Sequence, residues 1–168
     1  MSNIASSSPA DQLPQDTRWL DDPQQRAWRA CITGATALFE RLDRQLREQH
    51  DLSLPEYELL VRLSESPEHS MRMAELASSV SHSRSRTTHT IVRLERDGMV
   101  GRRACPSDGR GVFAVLTDAG WARLVAAAHT HVRGVRELLV DRVDADELQA
   151  VGRVFDAVNS SCEATDTR

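Results

Sequence analysis

Two short helical runs, broken at a tight turn and followed at once by two extended runs, constrain this chain more than any other feature. Met73, Leu76, Ala77 and Val80 recur at helical spacing, and Ser81-His82-Ser83 then interrupts the run. Ser83 can cap a further helix over 84–97, whose inner positions are Thr87, Ile91 and Leu94 and whose end is marked by Asp97-Gly98. Met99 to Cys105 can then pair with Val112 to Leu116 across Pro106-Ser107-Asp108-Gly109-Arg110-Gly111, a stretch dense in turn formers. The order is a helix-turn-helix running directly into a β-hairpin with a charged tip.

Long helices flank this unit. Trp28, Cys31, Ile32, Ala35, Leu38, Phe39, Leu42 and Leu46 recur every three or four positions, which predicts an amphipathic helix over roughly 24–49. Its length exceeds what a domain of this size needs internally, so it is expected to pack on a partner chain. Ser53 with Glu56 has capping-box spacing and Pro55 suits a first turn, so a second helix runs to about Ser64. Thr117 caps a long helix to about 140, with Trp121, Leu124, Val125, Ala128, Val132, Val135 and Leu139 on one stripe. Asp144 and Glu147 form another capping pair, and the last helix is expected to bury Leu148, Val151, Val154, Phe155 and Val158. Residues 1–22, rich in Ser, Asp, Gln and Pro, read as a loose N-terminal arm.

Composition adds one asymmetry. All 21 basic residues are Arg, and the net charge is −4. Residues 1–70 carry 7 Arg against 12 Asp and Glu, residues 71–110 carry 8 against 4, and residues 111–168 carry 6 against 9. A basic island in an acidic protein coincides with the helix-turn-helix, and local charge governs what docks on a surface. No apolar run exceeds five residues, as at Val112–Leu116, and the N-terminus has no signal pattern, so a membrane location is not expected and a cytoplasmic one is.

The blocks Leu54-Pro55-Glu56-Tyr57, Met73-Ala74-Glu75-Leu76-Ala77, Ser83-Arg84-Ser85-Arg86, Arg93-Leu94-Glu95-Arg96-Asp97-Gly98-Met99-Val100 and Asp108-Gly109-Arg110-Gly111 stand in this order before Leu116-Thr117. The ordered set resembles the MarR family of winged helix-turn-helix transcription regulators over roughly residues 24–160. The resemblance implies a mainly α fold with a small β-hairpin wing, a winged helix-turn-helix lobe and N- and C-terminal dimerisation helices. The expected organisation is an arm over 1–22, a dimerisation helix over 23–50, a DNA-binding lobe over 51–117 and C-terminal dimerisation helices over 118–168. The resemblance further implies a homodimer on double-stranded DNA with a pseudo-palindromic operator. It implies repression relieved by a small lipophilic or phenolic effector bound between the dimer helices and the lobes.

The residue chemistry agrees with a DNA partner. Amides at a helix N-terminus face outward with the positive dipole end, so Ser83 can meet phosphates while the next turn reaches base edges. Arg84 and Arg86 carry the planar fork that reads guanine O6 and N7 in two hydrogen bonds. Ser85, Thr88 and His89 lie near the same face, whereas Arg93 and Arg96, further along, suit phosphates. Arg110 at the hairpin tip suits a narrow minor groove. By analogy with the family's wing Asp108 would orient Arg110, although it would serve equally as a turn cap.

The rivals differ in class. A winged-helix module that binds only protein would need a partner's acids to neutralise the island. A thiol-based oxidant sensor would work through Cys31, since some relatives sense peroxides with one Cys in the first helix. Aligned on Pro55, however, Cys31 is offset from that position, and Asp43 and Leu54 stand where those relatives carry tyrosines, so a core thiol is the better reading. His129 and His131 have the wrong spacing for a zinc pair on one helix face, and His50, His69 and His82 are scattered, so no metal or cofactor is expected. No Ser-His-Asp elbow or phosphate-cradling Gly loop appears, so catalysis is not expected either. Trp28, Phe39 and Trp121 are candidates for a cavity lining, with core packing the commoner role for such residues.

Overall fold

Apolar spacing and caps produce the expected elements, in the expected order, in the computed structural model, which describes residues 17–80, 84–105 and 108–166. The helices are α1 (Asp22–His50), α2 (Leu54–Glu65), α3 (Met73–Ser79), α4 (Arg84–Arg96), α5 (Asp118–Leu138) and α6 (Ala145–Asp166). The strands are β1 (Ser70–Arg72), β2 (Val100–Cys105) and β3 (Asp108–Leu116), in an antiparallel sheet of order β1-β3-β2. The chain divides into two compact units between Thr36 and Ala37. None of the described helices is long and apolar enough to cross a membrane.

The caps at Ser53, Thr117 and Asp144 form as their spacing predicts, and the one expected at Ser83 lies outside the described residues. Glu56 N–H donates to Ser53 Oγ while Ser53 N–H donates to Glu56 Oε2 at 2.8 Å. Thr117 Oγ1 accepts from Gly120 N–H at 3.0 Å and donates to the Gly98 carbonyl at 2.8 Å, tying the start of α5 to the end of α4. Asp144 and Glu147 exchange bonds of 2.9 and 2.8 Å ahead of α6. Gly98, at φ +71°, closes α4: its amide reaches the Glu95 carbonyl and the Met99 amide reaches the Leu94 carbonyl, a left-handed helix end that favours glycine.

In the second unit the core is a leucine cluster. Leu46 from α1, Leu52 from the loop after it, Leu59, Leu60 and Leu63 from α2, Leu76 from α3, and Ile91 and Leu94 from α4 are fully buried. Ala114 and Leu116 of β3 and Leu124 and Ala127 of α5 close it. Thr87, Ile91 and Leu94 are the inner positions of α4, as the spacing predicts.

Five expectations change. The wing is a three-stranded sheet, because Ser70–Arg72 pairs with Phe113–Val115 of β3. Asp108–Gly111, expected within the turn, begins β3, and Pro106-Ser107 lies outside the described residues. The α5 stripe is split: Leu124 faces the core together with Gly120, Ala127 and Gly134, while Trp121, Val125 and Val132 are exposed. Val151, Val154, Phe155 and Val158 of α6 are exposed rather than buried, because among the described residues of the second unit nothing covers that face. In the first unit Trp28 and Ile32 are exposed, and so is Cys31, which is therefore not a core thiol within one chain. The expected arm over 1–22 lies mostly outside the described residues.

Gly120 marks where α5 passes closest to the hairpin. A Cβ there would lie 2.1 Å from the Met99 carbonyl oxygen and 2.8 Å from Leu116 Cδ1. Backbone cannot yield as a flexible side chain does, so Gly120→Ala should lower unfolding free energy by about 1 to 3 kcal/mol in urea denaturation, as overpacking does. An unchanged urea midpoint would mean that α5 is not held this close.

Candidate nucleic-acid interface and adjoining cavity

Burying Thr87, Ile91 and Leu94 against the lobe leaves the opposite side of α4 outside. Thr88 and His89 are exposed there. Arg84, Ser85 and Arg86 form the first turn of the same helix, and their side chains lie outside the described residues, as does the whole of Ser83. Asp108 and Arg110 belong to β3, again with side chains outside the described residues. Thr88 shares a groove with Arg72, Met73, Ala74, Arg102, Gly111 and Val112, so the helix and the hairpin open onto one concave surface.

The basic island is more internally neutralised than its count implies. Arg102 pairs with Glu95 at 2.7 Å, Arg96 with Asp97 at 2.9 Å and Arg103 with Glu68 at 3.6 Å. Arg93, expected at phosphates, has its Nε 3.1 Å from Oε1 of buried Glu56. The guanidiniums of Arg72 and Arg103 flank the Phe113 ring across the sheet, 5.5 and 5.8 Å from its centroid.

A second concavity opens behind the lobe. A cavity of about 810 Å³ lies between α1, α2 and α5, floored by Phe39, Leu54, Tyr57, Val61, Val80 and His131 and rimmed by Glu40, Asp43, Glu58, Arg62 and Glu65. Phe39 thus lines a cavity while remaining about half exposed, and Trp121, also exposed, is not among the residues lining it. The rings of Tyr57 and His131 lie 4.5 Å apart at 36°, and His131 Nδ1 is buried with no hydrogen-bond partner among the described residues. Sequence reasoning weighed His131 only as a metal ligand and missed this pairing, because α2 and α5 bring it together from distant parts of the chain. On Asp43, burial raises the carboxyl pKa, but hydrogen bonds from Arg47 and the Leu54 amide outweigh it and hold the value below the ordinary range.

The chain matches the MarR family model over residues 52–112. It is similar to Sco3205, a MarR family transcriptional regulator from Streptomyces coelicolor solved in complex with DNA. The two share 41% identity over 86% of this chain and 91% of that one, with a TM-score of 0.84. The chain belongs to the MarR family. AbsC, a second Streptomyces coelicolor regulator of that family, shares 36% identity over 88% of this chain and 99% of that one, with a TM-score of 0.83. Sco5413, from the same organism, shares the fold at 22% identity and a TM-score of 0.73. No curated protein matches the chain in sequence. As a MarR-family member the protein is a DNA-binding transcription regulator and not an enzyme.

Two histidines in this regulator couple its stability to pH. Burial holds the His131 imidazole below its ordinary 6.5, and burial followed by the Arg123 charge does the same to His50, whose Nε2 lies 2.8 Å from Thr130 Oγ1. The unfolded chain takes up protons near 6.5 that the folded histidines refuse, so stability is complete above that pH and is lost as pH falls toward the folded values. The urea midpoint should therefore be lower at about pH 5.5 than at about pH 7.5, and His131→Gln should flatten part of that difference. A variant with the full wild-type dependence would remove His131 from the account.

Proposed function

We propose that this MarR-family protein is a ligand-responsive repressor that binds a pseudo-palindromic operator as a homodimer in the cytoplasm. The observation that carries the reading is the position of α4, buried on one face only and opening onto the same groove as β3, in a chain 41% identical to a regulator solved on DNA. In this reading Arg84 and Arg86 reach base edges, while Ser83, Ser85, Thr88 and His89 contact bases or phosphates from the same turns. Arg110, oriented by Asp108, enters a flanking minor groove.

A second copy is the natural cover for the apolar surface that one chain leaves in water. Phe155, Val154 and Val158 of α6 and Trp121, Val125 and Val132 of α5 are exposed large side chains on two terminal helices. Residues 51–117 then form the DNA-binding lobe, and 23–50 with 118–168 form the dimer. The cavity on Tyr57, Phe39 and His131 suits a small lipophilic or phenolic effector, because Phe39, Leu54, Tyr57 and Val61 give it apolar and aromatic walls, with charged side chains such as Arg62 at hand to fix orientation.

Selection from a random duplex library tests the reading. The expected product is a two-fold sequence with half-sites about one helical turn apart. Arg86→Ala should then cost roughly 1 to 3 kcal/mol on that sequence and little on random DNA. Arg110→Ala should weaken binding most where the flanks are A·T-rich and lower the salt dependence by about one phosphate-equivalent. Phe155→Glu should give a monomer in sedimentation. Recovery of no enriched sequence would overturn the operator reading, and a monomeric wild-type chain the dimeric one.

A further inference from the structure

We infer that Arg93 is a positioning residue that seats α4 through the buried carboxylate of Glu56, rather than a phosphate contact, so that the Arg93–Glu56 pair links the cavity wall to the DNA-reading helix. The inference rests on the DNA-binding reading given above.

Glu56 stands in the first turn of α2 and is 2% exposed. Both of its oxygens are occupied: Oε2 accepts from Ser53 N–H at 2.8 Å and from Ser53 Oγ–H at 2.6 Å, and Oε1 pairs with Arg93 Nε at 3.1 Å. Capping alone does not need this burial. Glu147 accepts from Asp144 N–H in the same kind of box ahead of α6, and there the whole arrangement is exposed. A carboxylate withdrawn from water needs a charged partner, and among the described residues Arg93 is its one ion-pair partner. Arg93 therefore has a reason to be at this point of α4 that DNA does not supply. Through Nε the planar guanidinium is fixed in direction, which a point charge would not achieve.

The same turn of α2 forms part of the cavity. Pro55 and Tyr57, on either side of Glu56 in sequence, line it, and so does Asp43 of α1, whose Oδ1 accepts from the Leu54 amide at 2.8 Å. The first turn of α2 is thus held by α1 through Asp43 and by α4 through Arg93. Anything that displaces Tyr57 or Pro55 moves the carboxylate on which α4 is seated.

The test uses full-length Glu56→Gln, Arg93→Ala, Arg93→Lys and the Glu56→Gln/Arg93→Ala double variant on the duplex selected by the wild-type protein and on random DNA. Affinities are read at several salt concentrations, at temperatures where circular dichroism shows each variant folded. Glu56→Gln and Arg93→Ala are each expected to lose about tenfold on the selected duplex, because each removes one partner of the contact that seats α4. The double variant should be no worse than the poorer single, and all should keep the wild-type salt slope. Arg93→Lys should recover part of the loss. A purely structural role would lower the melting temperature and leave the ratio of selected to random affinity unchanged, which would overturn the inference. It would also be overturned if Arg93→Ala reduced the salt slope by about one phosphate and weakened both DNAs alike while Glu56→Gln bound normally. Additive single losses would do the same. Failure of the wild type to select any duplex would instead strike the DNA-binding reading itself.

Discussion

A helix that carries four arginines and one glutamate in thirteen residues stays on a protein surface only if its other face is worth enough in apolar burial. In α4 that face is Thr87, Ile91 and Leu94, all fully buried. Each large aliphatic side chain removed from water contributes about 1.5 to 3 kcal/mol, which exceeds the few tenths by which like charges on one helix repel. The rest of the lobe follows from that requirement. α2 and α3 supply the leucines that receive Ile91 and Leu94, Gly98 turns the chain sharply enough for β2 to return beside them, and Thr117 ties α5 to the same corner. The helix is then carried on a fixed support.

What one chain leaves uncovered is of two kinds, and they lie on different elements. The α4 surface is polar and, by its arginines, suited to a polyanion. The outer faces of α5 and α6 are apolar, with Trp121, Val132, Val154 and Phe155 in water. A large exposed apolar patch on a helix otherwise built from good local signals marks an interface. Two partners of opposite character, nucleic acid and a second copy, are therefore written into one chain by where its arginines and its aliphatic residues fall.

Legibility in the sequence tracked the range of each interaction. Caps at Ser53, Thr117 and Asp144, and the turn at Gly98, involve residues three or four apart, and each formed as read. β1 was missed because three residues carry no periodicity, and its pairing with Phe113–Val115 comes from far along the chain. The α5 stripe was read as one face because Leu124 and Val125 are both apolar, yet only Leu124 is turned to the core. Spacing alone does not say which neighbour an apolar stripe serves. The cavity was illegible for the same reason, since Tyr57 and His131 meet only after α2 and α5 have packed on a common core. Arg93 shows the limit most sharply: helical spacing puts it outside, about half exposed, while its partner is a buried carboxylate on another helix.

That helix-to-helix connection alters how charge in this lobe should be understood. Arg96, Arg102 and Arg103 also have acidic neighbours, but those pairs are partly or largely exposed, and exposed pairs contribute little and are screened by salt. Glu56 differs because it is almost wholly withdrawn from water, so its carboxylate is met mainly from within the protein. Geometry at such a site is costly to relax, whereas an exposed pair rearranges freely. The lobe therefore combines exposed ion pairs that rearrange readily with one charged contact, Arg93 to Glu56, fixed beneath them. Under the reading proposed for α4 both are useful, because phosphates along a duplex vary in position while base edges must be approached in a single register.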